Sequence, residues 1–172
     1  LDNWASPASF VTINEDGTPS GITDDNYDDT RAIQAAIDSG ATTLYLPFGR
    51  WLIERTVHVR GNVERIHGME STLGSLSDEG GFRFGDDAQD TIVIERMAGR
   101  DVEFEHDGDT TLVVRNLQGF VYVPTSESPG DLFIYDVVQG HFTFRNQNVW
   151  ARQLNVEGRA DVNDPLQPDQ KI

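Results

Sequence analysis

Two glutamates stand two residues apart in the segment VEFEHDGD, where their type and spacing could support acid–base chemistry. Glu103 and Glu105 alternate with other residues as in a strand, so both carboxylates would point to the same outer face. Removal of a proton from a carbon atom beside a carboxylate also needs a base, often an Arg or a Lys. We therefore predict Glu103, Glu105 and Arg145 as catalytic residues, with an ordinary solvated face as the alternative.

Basic and aromatic side chains in neighbouring segments predict a surface that binds the substrate. We predict Trp150, Arg152 and Arg115 as substrate-binding residues, because stacked side chains on one outer face of a repeat protein can line a binding groove. Aromatic rings offer a flat apolar surface with a polar edge. Alternation predicts that many of the other candidate aromatic residues fill the core instead; these are Trp51, Tyr122, Tyr135, Phe142 and Phe144.

A second group of carboxylates lies near the start of the chain, in the segment INEDGTPSGITDDNYDD. Carboxylates are preferred ligands of Ca²⁺, but their spacing here lacks the order of an EF-hand loop. Helix capping and loop solubility explain the same residues. We expect no required cofactor and keep Ca²⁺ as an optional one, with its ligands unknown. The candidates are Asp16, Asp24, Asp25, Asp28 and Asp29.

The remaining reactive residue types narrow the chemistry. The chain has no cysteine, which excludes disulfides, thiolate catalysis and cysteine-ligated metals. The four histidines are not spaced like a metal-binding pair, so we expect each of them at the surface or in a turn. They are His58, His67, His106 and His141. Neither a G-x-S-x-G motif nor a P-loop is present.

The charge of the chain limits its partners. The 172 residues include 29 acidic and 13 basic side chains, which gives a net charge of −16. Such a surface repels phosphate backbones, anionic lipids and polyanionic sugars, so we expect neither nucleic acid nor a membrane as a partner. Ca²⁺ could bridge the acidic protein to an acidic sugar, because carboxylates are its preferred ligands. No apolar run is long enough to span a bilayer. The same charge suits solubility in a salty or extracellular medium.

One amphipathic helix precedes all the strand-like segments. Ala32, Ile33, Ala36 and Ile37 form one apolar stripe. Asp28 or Asp29 is a suitable N-cap, and Gly40 stands where a left-handed residue ends a helix. We predict a helix over about residues 30–39.

After the helix the hydrophobic pattern changes to period two. Runs begin at Thr91, Thr111, Leu132 and Val149, and each of the first three is followed by a second run. A repeat of about 20 residues that contains two strands is typical of a solenoid, whereas the Leu and Asn pattern of leucine-rich repeats is absent. A helix laid across the first coil would cover its exposed strand edge.

The segments DDNYDDTRAIQAAIDSGATTLYLPFGRWLI and VERIHGMEST resemble the pectate-lyase-like superfamily of right-handed parallel β-helices. The similarity covers residues 28–73; over residues 82–158 it rests on coil length alone. Trp51 stands where the family usually has Tyr, and Arg50 where it usually has Thr. The polygalacturonase-like motifs are incomplete, so their catalytic roles are not carried over to this chain.

The resemblance implies an all-β fold, a right-handed parallel β-helix with a short N-terminal capping α-helix. We predict residues 1–27 as an arm or loop and residues 28–158 as the β-helix. Residues 159–172 would form a polar tail that continues into a longer protein.

The resemblance also implies a polysaccharide partner and a secreted or cell-surface location. A lyase or glycoside hydrolase acting on an extracellular polysaccharide is the first hypothesis. The second is a non-catalytic β-helix for glycan binding or surface display, or a fragment that lacks the catalytic coils. The third is a β-sandwich carbohydrate-binding module, which would require antiparallel pairing between TIVIER and VEFEHD.

Overall fold

Parallel strands stacked in successive coils make up most of this molecule. The computed structural model describes residues 3–155. The chain is mostly β, with 49% strand and 8% helix, and its strands form a parallel β-solenoid of about five turns. The predicted all-β solenoid with one short helix is therefore confirmed. Within the described range, no helix has the length and apolar character needed to cross a bilayer.

The elements are numbered in chain order. The helix α1 spans Thr30–Asp38, and a short 3₁₀ turn spans Pro7–Ser9. The strands are β1 (Trp4–Ala5), β2 (Thr12–Ile13), β3 (Pro19–Ser20), β4 (Thr43–Leu46), β5 (Arg50–Ile53), β6 (Thr56–Val59), β7 (Arg65–Ser75), β8 (Gly81–Phe84), β9 (Thr91–Arg100), β10 (Glu103–His106), β11 (Thr111–Gln118), β12 (Val121–Pro124), β13 (Leu132–Val138), β14 (His141–Phe142) and β15 (Val149–Asn155).

Two large parallel sheets form the walls of the solenoid. The first has the order β1-β4-β7-β9-β11-β13-β15, with β5 also paired to β7. The second has the order β14-β12-β10-β8-β6. The segments TIVIER and VEFEHD belong to β9 and β10, which lie in different sheets and pair only in parallel with other strands. The β-sandwich alternative is therefore wrong.

The long strands of the first sheet bend at one residue in each coil. Arg96, Asn116, Asp136 and Gln153 have φ values of 60°, 52°, 52° and 56°, in the left-handed region. These four residues occupy equivalent positions in their coils. The residues that flank them are paired in register across β9, β11, β13 and β15. The bend turns each strand through a corner, so the stretch before it forms a separate outer face.

Inward side chains stack from coil to coil and form the core. Ile66, Ile94, Val114 and Ile134 lie in register on four successive strands, and each is almost fully buried. Branched side chains pack well on a pleated surface, which explains why these positions hold Ile and Val. The alternation that buries these residues directs their neighbours outward.

The helix α1 covers the first coil, as predicted. Its apolar stripe is buried, and Ile33, Ala36 and Ile37 belong to the same core cluster as β4 and β5. Asp29 is the N-cap residue, but its carboxylate does not cap the helix. Both of its oxygens instead accept backbone hydrogen bonds, from Gly21 at 2.8 Å and from Leu52 at 2.9 Å.

The segment predicted as an arm is more structured than a loop. Within it, β1 pairs in parallel with β4, and β2 pairs antiparallel with β3. The strand β1 therefore adds one strand to the first sheet, at the edge beyond the first coil. The predicted tail at residues 159–172 lies outside the described residues.

Candidate functional site

The outer surface of the first sheet carries two ladders of side chains, one on each side of the buried positions. Because the strands are parallel and in register, each ladder receives one residue from each of six strands. The first ladder consists of Thr43, Arg65, Val93, Val113, Phe133 and Trp150. The second consists of Tyr45, His67, Glu95, Arg115, Tyr135 and Arg152. We call these twelve residues the ladder face.

A buried carboxylate holds the centre of the ladder face. Glu95 Oε1 lies 2.7 Å from Arg65 Nη1 and 3.0 Å from His67 Nδ1. Glu95 Oε2 accepts a hydrogen bond from Arg115 Nε at 2.6 Å and forms an ion pair with Arg115 Nη2 at 2.5 Å. The side chain of Glu95 is only 6% exposed, whereas those of both arginines are 42% exposed. The two guanidinium groups can therefore meet solvent or a ligand while the carboxylate holds them in place.

Opposing effects act on the ionisation of Glu95. Burial raises its pKa, but the hydrogen bonds from His67 and Arg115 and the charges of Arg115 and Arg65 lower it, and the net pKa lies below the ordinary value. The carboxylate is therefore ionised at neutral pH. An ionised carboxylate only accepts, so the Nδ1 atom of His67 carries the proton.

Aromatic rings lie at both ends of the ladder face. Phe133 and Trp150 stack with ring centroids 4.5 Å apart and planes 7° apart, and Trp150 is 47% exposed. At the other end, the exposed ring of Trp4 lies 5.4 Å from Tyr45 and 5.7 Å from His67. A flat, exposed aromatic surface of this kind suits stacking against a sugar ring.

Two open depressions follow the ladder face. One, of about 510 Å³, is lined by Glu95, Arg115, Asn116, Tyr135 and Asp136. The other, of about 360 Å³, is lined by Arg65 and Val93 at the start of the same strands and by the carboxylates of Glu64 and Asp90. Each is shallow and open to solvent, as suits a long ligand rather than an enclosed small molecule.

The sign of charge on the ladder face differs from that of the whole chain. The ladder face has three arginines, Arg65, Arg115 and Arg152, and one carboxylate, Glu95. The complete chain has a net charge of −16. The twelve residues of the ladder face therefore form a cationic stripe on an acidic protein, and the depressions beside this stripe also hold the carboxylates of Glu64, Asp90 and Asp136.

The predicted catalytic glutamates lie on the other large sheet. Glu103 and Glu105 are both partly exposed on β10 and point outward, as their alternation predicts. Burial, followed by the neighbouring charges of Glu105 and Asp78, raises the pKa of Glu103. Glu105 Oε2 lies 3.9 Å from Arg83 Nη1, and Arg83 also pairs with Asp107.

The six predicted site residues are therefore divided between surfaces. Arg115, Arg152 and Trp150 come together on the ladder face. Glu103 and Glu105 lie on a different sheet, and Arg145 is exposed in the segment that follows β14. The catalytic roles of Glu103, Glu105 and Arg145 stay predictions.

The sequence analysis did not identify several residues of the ladder face. His67 was expected at the surface or in a turn, but it lies in β7 against Glu95. Arg65 and Phe133 were not singled out. The period-two pattern and coil length would have placed Phe133 beside Trp150. The pairing across β7 is harder to infer, because its register with β9 is irregular between His67 and Ser71.

Among the other histidines, His106 contradicts the expectation. Its side chain is fully buried, with Nε2 at 2.7 Å from the Thr110 carbonyl oxygen and Nδ1 at 2.7 Å from Tyr122 Oη. His58 and His141 are exposed, as expected.

The N-terminal aspartates mostly hydrogen-bond to the chain itself. Asp16 and Asp28 accept from the backbone amides of Thr18 and Thr30, and Asp24 accepts from the amide of Arg50. Within residues 3–155, no group of three or more His, Cys, Asp or Glu side chains is arranged to hold a metal ion. Calcium binding stays a prediction.

By its fold the chain is a parallel β-solenoid. A scan against protein-family models, a search of curated proteins and a search of solved structures each find no match to it.

Proposed function

We propose that this chain binds a polysaccharide along the ladder face. The observation that carries the proposal is the alignment of the exposed Trp150 ring and the partly exposed Phe133 ring with arginines on one outer face. Neighbouring strands are about 4.8 Å apart, so a polysaccharide lying across them meets a new pair of side chains at regular short intervals. Rings supply stacking surface, and guanidinium groups supply hydrogen bonds to hydroxyl or carboxylate oxygens.

The cationic character of the ladder face favours an acidic polysaccharide. Arg65 and Arg115 share one carboxylate, which leaves a net positive charge. Arg152 has no carboxylate within ion-pair distance among residues 3–155 and adds a further positive charge. Opposite charges steer the ligand to this stripe, while the acidic surface elsewhere repels it.

The resemblance of residues 28–73 to the pectate-lyase-like superfamily supports the same proposal. That resemblance implies a right-handed coil, a polysaccharide ligand and a secreted or cell-surface location.

Cleavage of the bound polysaccharide is a second candidate function. It is favoured by the contact between His67 and Glu95 on the ladder face. Because Nδ1 carries the proton that faces Glu95, a neutral His67 has its basic site at Nε2. A base beside two arginines that bind a sugar carboxylate would suit elimination. A lyase would release unsaturated products that absorb ultraviolet light. A hydrolase would release new reducing ends without that absorbance.

Binding can be tested by affinity electrophoresis through gels that contain acidic or neutral polysaccharides. We expect acidic polysaccharide to retard the full chain. Trp150→Ala should abolish most of the retardation, because it removes the most exposed ring of the Phe133 stack. Phe48→Ala is the matched control, since Phe48 is 74% exposed and lies outside the ladder face. Equal retardation of both variants, or no retardation of the wild type by any polysaccharide, would contradict the proposal.

A further inference from the structure

The two arginines that contact Glu95 converge on one point of the ladder face. Arg65 on β7 and Arg115 on β11 flank the strand β9, and their guanidinium groups bind different oxygens of the Glu95 carboxylate, at 2.7 Å and 2.6 Å. No more than the width of one carboxylate and two hydrogen bonds therefore separates the two groups. Their positive charges are concentrated over β9.

Glu95 uses only part of the hydrogen-bonding capacity of these arginines. A guanidinium group has five N–H donors in a fixed fork. Arg65 donates to Glu95 from Nη1 alone, and Arg115 faces it with Nε and Nη2. Within residues 3–155, Arg65 Nε and Nη2 and Arg115 Nη1 donate no hydrogen bond. The Nε and Nη2 atoms of Arg65 form an edge that matches the two oxygens of an oxyanion.

Both guanidinium groups are accessible to a ligand on the ladder face. The side chains of Arg65 and Arg115 are partly exposed, whereas that of Glu95 is almost fully buried. With His67 neutral, two guanidinium charges and one carboxylate charge leave this cluster with a net charge of +1. An anionic group that approaches the cluster from solvent therefore meets N–H donors before it meets the carboxylate.

The depressions on either side of this cluster place negative charge around it. Glu64 and Asp90 line the depression beside Arg65, and Asp136 lines the one beside Arg115. Among residues 3–155, Glu95 is the one carboxylate within ion-pair distance of either arginine. An anionic group over a depression is repelled, whereas one between the two arginines is attracted. The distribution of charge therefore favours one position for a negative group of the ligand.

We propose that Arg65 and Arg115 form a subsite above Glu95 for a single oxyanion of the ligand, a carboxylate or a sulfate. This inference rests on the proposed function and adds the place at which the negative charge of the polysaccharide is bound. The free edge of Arg65 donates two hydrogen bonds to the oxyanion, and Arg115 Nη1 donates from the opposite side. Glu95 holds both arginines in position and does not contact the ligand.

Nuclear magnetic resonance of the arginine side chains tests the subsite with small probes. The full chain, labelled with ¹⁵N, would be titrated with glucuronate, with glucose 6-sulfate and with glucose. We expect both anions, and not glucose, to shift the Nε–H signal of Arg65, and the anion that acts at the lower concentration identifies the preferred oxyanion. Arg100 is the internal control, because it is 88% exposed beyond the corner of β9 and outside the ladder face. An Arg65 signal that responds no more than that of Arg100, or equally to glucose, would overturn the inference.

A matched pair of tetrasaccharides tests the same subsite in a longer ligand. One is cellotetraose, and the other is cellotetraose with a single glucuronate in place of the terminal glucose, so the two differ by one carboxylate. Isothermal titration calorimetry on the full chain compares them. We expect the charged tetrasaccharide to bind about tenfold more tightly, the effect of one hydrogen bond between charged groups.

Arg65→Lys separates a shaped subsite from a general attraction between charges. Lysine keeps the positive charge beside Glu95 but lacks the flat edge of two N–H donors. We expect this variant to lose most of the tenfold preference, whereas Arg100→Gln, which removes a charge outside the ladder face, keeps it. Circular dichroism checks that both variants are folded. A preference that survives in Arg65→Lys would overturn the inference.

The outcomes separate the inference from the function on which it rests. If both tetrasaccharides bind equally and Trp150→Ala abolishes their binding, the subsite is overturned and the proposed function stands. If no polysaccharide retards the chain but Arg65 responds to glucuronate, the subsite stands and the proposed function is overturned. If no polysaccharide retards the chain and Arg65 responds to neither anion, both are overturned.

Discussion

The carboxylate of Glu95 joins three strands through its partners on β7 and β11. Arg65, His67 and Arg115 all contact it, although no two of these four residues are neighbours in sequence. A buried carboxylate is stable only when such partners compensate for its lost hydration. The same contacts hold the two guanidinium groups at the surface of the ladder face.

Glu95→Gln should have opposite effects on stability and on ligand binding. The amide loses the charged hydrogen bonds, so we expect the free energy of unfolding to fall by about 1–3 kcal/mol. The variant also gains one unit of positive charge on the ladder face, so acidic polysaccharide should bind more tightly. Urea denaturation and calorimetry measure the two effects.

Glu70→Gln is the control for this variant. Glu70 is 69% exposed and pairs with Arg96 at 3.0 Å, and an exposed pair contributes less than about 1 kcal/mol. Equal losses of stability in Glu70→Gln and Glu95→Gln would contradict the structural role given to Glu95.

The buried histidine predicts a dependence of stability on pH. Burial lowers the pKa of His106 below its ordinary value of 6.5. The folded state therefore resists protonation, and the stability contributed by neutral His106 is present above pH 6.5 and is lost as the pH falls through the lowered pKa. Titration of this one group changes the free energy of unfolding by at most about 1.4 kcal/mol per pH unit.

The ionisation of Asp29 makes the stability depend on pH in the opposite direction, so the measurement must separate the effects of Asp29 and His106. Burial raises the pKa of Asp29 to about 6, and the stability that its protonated form contributes is lost as the pH rises through that value. Urea denaturation of the wild type and of His106→Asn at pH 7.5 and pH 5.5 gives the difference between their unfolding free energies at each pH. The effect of Asp29 is the same in both proteins, so it cancels in this difference. We expect this difference to shrink at pH 5.5; a difference that is equal at both pH values would show that His106 does not titrate in this way.

At the scale of elements, Asp29 ties the arm, the helix and the first coil together. Its two oxygens accept from Gly21 in the segment after β3 and from Leu52 in β5, while its backbone begins α1. Asp29→Ala leaves two buried amides without their acceptor, so we expect a loss of about 2–5 kcal/mol of stability. Thermal unfolding followed by circular dichroism measures it.

Asp38→Ala provides the comparison on the same helix. Asp38 pairs with Arg60 at 2.8 Å, but both side chains are well exposed. We expect a loss below about 1 kcal/mol. A loss as large as that of Asp29→Ala would mean that the helix is held by its surface ion pair rather than by the buried carboxylate.

Sequence patterns predicted the elements better than the corners between them. The predicted run starts at Thr91, Thr111, Leu132 and Val149 coincide with the starts of β9, β11, β13 and β15. The period-two alternation of apolar residues explains this success. The corners were not predicted, because the left-handed position falls on Arg, Asn, Asp or Gln rather than on the glycine that such a conformation favours.

At the scale of the whole molecule, corners decide which residues can meet. Alternation correctly predicted that Glu103 and Glu105 point outward together. It could not show that β10 belongs to a different sheet from the strands that carry Arg115 and Trp150. The candidate site therefore follows from which coil segments stack, a property of the whole solenoid rather than of any one segment.

The distribution of charge has the same whole-molecule origin. The net charge of −16 correctly describes the chain but hides a stripe in which arginines outnumber carboxylates. The stripe forms only when strands separated by about 20 residues in sequence lie side by side. Net charge alone argues against an acidic ligand, and our proposal of one depends on the arginines that folding brings together on the ladder face.

Hydroxyl-radical footprinting tests the central claim most directly, since it reports which side chains a bound polysaccharide covers. The full chain would be oxidised with and without the acidic polysaccharide that retards it most. We expect protection of Trp150, Phe133 and Tyr135, with Phe48 and Tyr27 unchanged as exposed aromatic controls. Protection of the outer face of β10 around Glu103 and Glu105, with Trp150 still fully oxidised, would contradict binding along the ladder face.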